Sequence, residues 1–199
     1  MKTNDRPLTD LMNAVDTGAA QLPDFQRGWV WDDGRIRALI LSVIHNFPVG
    51  AAMFLEYGNE SIHFKHKPIE GSEADFNTEP DELILDGQQR LTSLYNALYS
   101  KNPVHTKTDK GKEIDRYYYL DIEKALDPSA DDEEVVVSIP ATKQVTSDFG
   151  RRIDKDLSTR QDEFKLKMFP LNIILNSSEE QGWQNEYYAY YNYDPVVIQ

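Results

Sequence analysis

Between Glu82 and Leu98 the chain passes from strand spacing to helix spacing with no loop in between. Glu82-Leu83-Ile84-Leu85 is an apolar run of strand length and Asp86-Gly87 is a turn pair. Leu91, Leu94, Tyr95 and Leu98 then fall on one face of a helix. A strand and a helix joined this tightly must bury their apolar faces in the same core, which excludes an all-helical bundle and an all-β sandwich. A second helix is as plain. Ile36, Leu39, Ile40, Val43, Ile44 and Phe47 follow the spacing of a core-facing stripe, with Asp32 as N-cap and Phe47-Pro48 as the stop. Trp31 and Ile36 stand at the positions of a hydrophobic staple. The expected fold class is α+β, a mixed α/β arrangement of short strands interrupted by helices.

The remaining segments fit that class. Leu8, Leu11, Met12 and Val15 predict an opening helix over 8–17 that ends near Gly18. Residues 51–57 read as a strand in a hairpin with 61–65, and 66–80 as a polar loop. Residues 117–122 and 135–139 read as strands, 171–175 as another apolar run and 179–193 as an aromatic-rich helix, while 140–170 carry no legible period. The tyrosines Tyr187, Tyr188, Tyr190, Tyr191 and Tyr193 are expected to pack on a partner domain rather than to stack on nucleobases. One domain is expected over 1–199, with a motif-bearing core at about 8–125 and a C-terminal part at 126–199.

The chain has no cysteine, which excludes a disulfide scaffold, a Cys-ligated zinc site and thiol catalysis, and suits a reducing cytoplasm. Its first residues carry Asp5 and Asp10 and no continuous apolar stretch, unlike a signal peptide. No apolar run approaches the roughly 20 residues of a membrane span. A cytoplasmic protein without a membrane partner is expected. The net charge of −13 repels nucleic-acid phosphate on average. Much of it sits in 121–134, where seven acidic residues face only Lys124, and this stretch reads as a solvated acidic loop. A local basic face remains around Arg151-Arg152 and Lys155. His45, His63, His66 and His105 do not cluster, and His63 and His66 would lie on opposite faces of an extended segment, a poor metal pair.

The turn at 85–91 carries the chemistry. A strand running through a glycine into a helix presents unpaired N–H groups at the positive end of the helix dipole, an anion site. Gly87 lets a phosphate approach the backbone, and Arg90 offers a permanently charged, bidentate partner. Gln88 and Gln89 add amides that donate or accept. The same residues have a purely structural reading. Asp86 and Gln89 stand at the spacing of a capping box, which would spend both on the helix's own N–H groups and leave Arg90 on the surface. In the functional reading Asp86 competes with phosphate unless it holds a bridging divalent cation, or bonds a ribose or a water. Arg90→Ala is then expected to weaken nucleotide binding and leave stability nearly unchanged. The residues by themselves leave both readings open.

Pro23-Asp24-Phe25-Gln26-Arg27, then Val30-Trp31, the apolar helix ending Asn46-Phe47-Pro48, and Ile84-Leu85-Asp86-Gly87-Gln88-Gln89-Arg90-Leu91-Thr92 resemble, in this order, the N-terminal domain of GmrSD-type, modification-dependent restriction systems. That family is related to the ParB and sulfiredoxin nucleotide-binding fold, and the resemblance covers roughly residues 8–100. It implies that the turn binds and helps hydrolyse a nucleoside triphosphate, with Mg²⁺. The implied catalytic residues are Asp86, Gln89 and Arg90, and the implied nucleotide contacts are Gly87, Gln88, Gln89, Arg90, Gln26 and Arg27, with Asp86 reaching the cation. It also implies a domain that senses modified or foreign DNA and couples nucleotide turnover to a nuclease, usually of HNH type, further along the chain or in a partner subunit. None of the four histidines here stands in such a nuclease arrangement. Two other readings stay open: a nucleotide-switched DNA- or protein-binding module without hydrolysis, and a ParB-like nuclease, which the acidic composition disfavours.

Overall fold

The structure is a computed structural model that describes residues 5–58 and 64–198. Helix α1 (Leu8–Asp16) turns Leu11, Met12, Ala14 and Val15 inward and ends ahead of Gly18, which takes a left-handed φ of 80°. Helix α2 (Asp33–Ile44) starts on Asp32, whose carboxylate accepts from the N–H of Arg35 at 2.9 Å. Its buried stripe is shorter than the spacing predicts: Ile36, Leu39 and Ile40 are buried, but Ile44 and Phe47 are exposed. The helix stops ahead of Pro48 because Asn46 turns left-handed, at φ 55°, and the N–H of Phe47 bonds back to the Ser42 carbonyl at 2.8 Å.

The first sheet holds β1 (Ala20–Pro23), β2 (Met53–Glu56), β3 (His66–Lys67) and β4 (Glu82–Asp86), in the order β2-β4-β1-β3. Strand β4 runs parallel to β1 and antiparallel to β2, and β3 runs antiparallel to β1. The hairpin expected between 51–57 and 61–65 falls partly on 59–63, outside the described residues. The described partner of β2 is β4, and β3 pairs with β1. Leu83 and Ile84 are wholly buried in β4, and an interior strand needs its N–H and C=O groups paired on both edges. Helix α3 (Gln88–Leu98) follows β4 directly and buries Leu91, Leu94, Tyr95 and Leu98, as the spacing predicts.

The second sheet is built on β6 (Glu113–Asp121), which pairs antiparallel with β5 (Val104–Lys107), β7 (Val136–Pro140) and β10 (Met168–Pro170). Strands β8 (Gln144–Ser147) and β9 (Arg152–Asp156) form a separate two-stranded antiparallel hairpin. The acidic stretch contains two short helices, α4 (Ile122–Leu126) and α5 (Asp132–Val135), in place of a continuous loop. Asp121 and Asp131 start them by accepting from the N–H groups of Lys124 and Glu133, both at 3.1 Å. Helix α6 (Arg160–Lys165) precedes β10, and a 3₁₀ turn at Leu171–Ile173 occupies the apolar run.

Helix α7 (Ser177–Tyr190) buries Trp183 and Tyr187, which stack with centroids 4.9 Å apart. Phe164 and Phe169 meet Trp183 edge-on at 5.1 and 4.9 Å. The buried part of the tyrosine-rich helix therefore packs on this chain's own aromatic side chains, not on a partner domain, while Tyr190 and Tyr193 stay exposed. Buried Glu163 accepts from Trp183 Nε1 at 3.0 Å and from the Tyr119 hydroxyl at 3.1 Å. Burial pushes its carboxyl above the usual glutamate range against the pull of these donors and of Lys143. One cluster of buried side chains joins Met12, Leu22, Ile40, Ile84 and Leu94 to Tyr118, Val136, Phe169 and Trp183.

Candidate functional site

Strand β4 delivers Asp86 to its end with the carboxylate largely in solvent, and the chain reverses through Gly87 at φ 90°. That conformation favours glycine, and a Cβ there would also press on the Cβ of Ala52 at 3.2 Å. Gly87 is the N-cap of α3, and no side chain caps the helix. The capping box is thus absent, because both amide atoms of Gln89 are used elsewhere. Its Nε2 donates to the Gly28 carbonyl at 3.1 Å and its Oε1 accepts from the Val30 N–H at 2.9 Å. Gln88 donates to the Arg27 carbonyl at 2.6 Å, and Gln26 donates to the Leu85 carbonyl at 2.9 Å. Four hydrogen bonds, all between a glutamine amide and main chain, fasten residues 26–30 to residues 85–89.

Other groups brace this clasp. Lys67 donates to the Gln26 carbonyl at 2.8 Å, the Trp29 N–H donates to Glu70 Oε1 at 3.0 Å, and Trp29 Nε1 donates to Ser93 Oγ at 3.0 Å. Arg90 is a brace as well. Its Nη1 donates to the Val49 carbonyl and its Nη2 to the Ala51 carbonyl at 2.7 Å, with Asp86 Oδ2 3.7 Å away. Gly50, at φ 89°, lies against the guanidinium, where a Cβ would overlap Nη1. The expectation that Arg90→Ala leaves stability nearly unchanged is therefore corrected: the side chain holds the 49–51 segment to α3.

Three polar groups remain open beside the clasp: the Asp86 carboxylate, the exposed Arg27 side chain, and the first N–H groups of α3. Arg27 and Arg90 outnumber Asp86 here, although the chain as a whole is acidic. Exposed Phe25 stands next to Gln26 and meets Phe64 edge-on at 5.5 Å. Among the described residues no group of three or more acidic or histidine side chains converges on a cation position. A single carboxylate suits Mg²⁺ only when phosphate oxygens and water supply the remaining ligands, a common arrangement for that ion. A cleft of about 480 Å³, lined by Asp33, Arg37, Arg116, Lys155 and others, shares no residue with the turn.

The model of one protein family, described as GmrSD restriction endonuclease, N-terminal domain, matches residues 8–195. The chain belongs to this family. A curated relative, an uncharacterized protein of Methanocaldococcus jannaschii, is 32% identical over 178 residues, which is 86% of this chain and 29% of that protein. The GmrSD N-terminal domain thus spans under a third of that relative's length. No helix among the described residues is long and apolar enough to cross a membrane.

Within this GmrSD N-terminal domain the structure brings Gln26 and Arg27 together with Asp86, Gly87, Gln88, Gln89 and Arg90, although about 60 positions separate the two groups in the chain. It spends the amides of Gln26, Gln88 and Gln89 on holding the two motifs together. Sequence reasoning missed the 49–51 segment, Lys67 and Glu70. Gly50, just after a helix stop, was the one available signal, since glycine permits both a left-handed turn and a close approach.

Proposed function

We propose that this GmrSD N-terminal domain is a nucleotide-binding regulatory domain of a DNA restriction system, with the triphosphate held at the Asp86–Arg90 turn. The observation that carries this reading is the start of α3 on a left-handed glycine with no side-chain cap. Its first N–H groups and the helix dipole favour an anion there. Arg27, exposed beside Gln88, supplies a charge-assisted donor, and Asp86 is free to share a cation with the phosphates. Bound Mg²⁺ would withdraw charge from the phosphoryl oxygens. Gln26, Gln88 and Gln89 fix the geometry, while Arg90 anchors the 49–51 segment and keeps its remaining N–H groups for ligand. Sensing of modified DNA and control of an HNH-type nuclease, elsewhere in a longer chain or in a partner subunit, complete the proposed role.

Hydrolysis is a separate step of the reading. Both amide atoms of Gln89 are engaged, which leaves Asp86, mostly in solvent and 3.7 Å from the Arg90 guanidinium, as the acid at the turn. This favours, as a second reading, a switch that binds nucleotide without consuming it. Titration with Mg²⁺ and a fluorescent ATP or GTP analogue, alongside phosphate release with and without DNA, separates the two. Asp86 does not cap α3, so Asp86→Asn should alter stability by no more than about 0.5 kcal/mol and serve as a clean probe. Arg27→Ala should weaken nucleotide binding about tenfold, the loss of one charge-assisted contact. Binding by both variants equal to wild type would refute the site. Asp86→Asn that binds but no longer releases phosphate would establish hydrolysis.

A further inference from the structure

We propose that Phe25, braced by Phe64, is a shelf on which the base of a bound purine nucleotide stacks. The inference rests on the nucleotide part of the proposed function and adds recognition of the base to that of the phosphates. Strands β1 and β4 run parallel, with Ala20 level with Glu82 and Gln21 level with Leu83. At that register Phe25 falls level with Gly87, just past the carboxyl ends of both strands. Sheets with parallel strands take their ligands at that edge. The Gln26 amide, bonded to the Leu85 carbonyl at 2.9 Å, agrees with this placement. Adjacent strands lie about 4.8 Å apart. A nucleotide with its phosphates at the start of α3 is therefore long enough to lay its base on the ring.

The ring is held outward on a fastened backbone. Phe25 is 64% exposed. The Asp24 N–H beside it donates to the Lys65 carbonyl at 2.9 Å, and the Gln26 N–H donates to the Pro23 carbonyl at 3.1 Å. Lys67 holds the Gln26 carbonyl at 2.8 Å. Phe64 meets Phe25 edge-on, with centroids 5.5 Å apart and planes at 71°. That arrangement steadies the pair and leaves most of Phe25 open. Charge and shape together select the occupant. Over residues 24–27, 64–70 and 86–90, Arg27, Lys65, Lys67 and Arg90 outnumber Asp24, Glu70 and Asp86, in a chain of net charge −13. The uncapped start of α3 adds its own N–H groups to this positive balance. A ligand that satisfies both features is anionic at one end and flat and apolar at the other, as a nucleotide is. Every base has a face to stack, and the fused rings of a purine cover more of Phe25 than a pyrimidine does.

The test is isothermal titration calorimetry on the whole chain with Mg²⁺, comparing ATP, GTP, CTP and UTP with inorganic tripolyphosphate, which has no base. Wild type should bind the purine nucleotides several-fold more tightly than the pyrimidine ones. Phe25→Ala should weaken ATP and GTP about tenfold, in the range seen for loss of one stacked base, and leave tripolyphosphate unchanged. Phe25→Trp should keep the affinity. Its fluorescence should fall when ATP is added, beyond any change in wild type, and not when tripolyphosphate is added. The Phe25 ring is exposed, so Phe25→Ala should melt with wild type. Arg27→Ala should weaken nucleotides and tripolyphosphate alike, which separates the phosphate contacts from the shelf. Phe25→Ala that binds ATP as wild type does would overturn the shelf and leave the nucleotide site standing. An equal loss for ATP and tripolyphosphate would do the same, since the ring would then act only through the shape of its turn. Pyrimidine nucleotides bound as tightly as purine ones would overturn the purine assignment. Wild type that binds neither nucleotide nor tripolyphosphate would remove the site, and the shelf with it.

Discussion

A guanidinium that donates to two carbonyls cannot be removed without loosening the segment that owns them. Arg90→Ala should cost about 2–3 kcal/mol in chemical denaturation, since it orphans acceptors at Val49 and Ala51 and frees their segment. Gly50→Ala should cost at least about 2 kcal/mol from its left-handed φ and its overlap with the guanidinium. Because the overlap is with Arg90 itself, the double variant should be less destabilised than the two single changes together. Strict additivity would show that Gly50 and Arg90 do not press on each other. At this scale some features were legible in the sequence and others were not. Asp32 as a cap and Gly87 as a turn between strand and helix follow from local rules that need only neighbouring residues. The partners of Gln88, Gln89 and Arg90 are carbonyl and N–H groups some 40 to 60 positions away, and every residue carries such groups, so no side-chain pattern announces them.

Helices longer than two turns were read from their spacing, and the elements missed are those too short to have one. The 140–170 region holds two strands of four and five residues, one of three, and a six-residue helix, lengths at which strand and helix periods cannot be told apart. Helix α7 illustrates a different loss. Its aromatic residues were legible but not their destination, because Glu163 had no visible reason to be buried beside them. The carboxyl of Glu163 is pushed up by burial, so the protonated form suits the fold better. Its stabilising contribution is complete below about pH 4.5, the ordinary glutamate value, and falls away as pH rises through the higher folded-state value. Glu163→Gln can still accept from Trp183 and donate to the Tyr119 hydroxyl. It should match or exceed wild-type stability at pH 7, with the difference shrinking as pH falls towards 4.5. Glu163→Ala should cost about 2 kcal/mol by orphaning both donors. A wild-type melting curve that gains on Glu163→Gln with rising pH would contradict this account.

At the scale of the molecule, the two sheets share one body of buried side chains that runs from Met12 to Tyr187. Unfolding should therefore be a single transition, with circular dichroism and tryptophan fluorescence coincident in denaturant. The fluorescence samples both regions, since Trp29 bonds to Ser93 on α3 and Trp183 is the buried residue of α7 that meets Phe164. Two resolved steps would show that the sheets are separately stable. The mixed fold class was legible because the strand-to-helix junction at Asp86-Gly87 forces both element types into one core. The sheet order was not, since β1 and β4 pair across about 60 intervening residues. The glutamine clasp carries a last consequence. Gln88 and Gln89 grip the main chain of 27, 28 and 30 and leave the side chains of Arg27 and Val30 ungripped. Those positions can diversify while the loop stays where it is, so members of one lineage can change what the loop reads without redesigning what holds it.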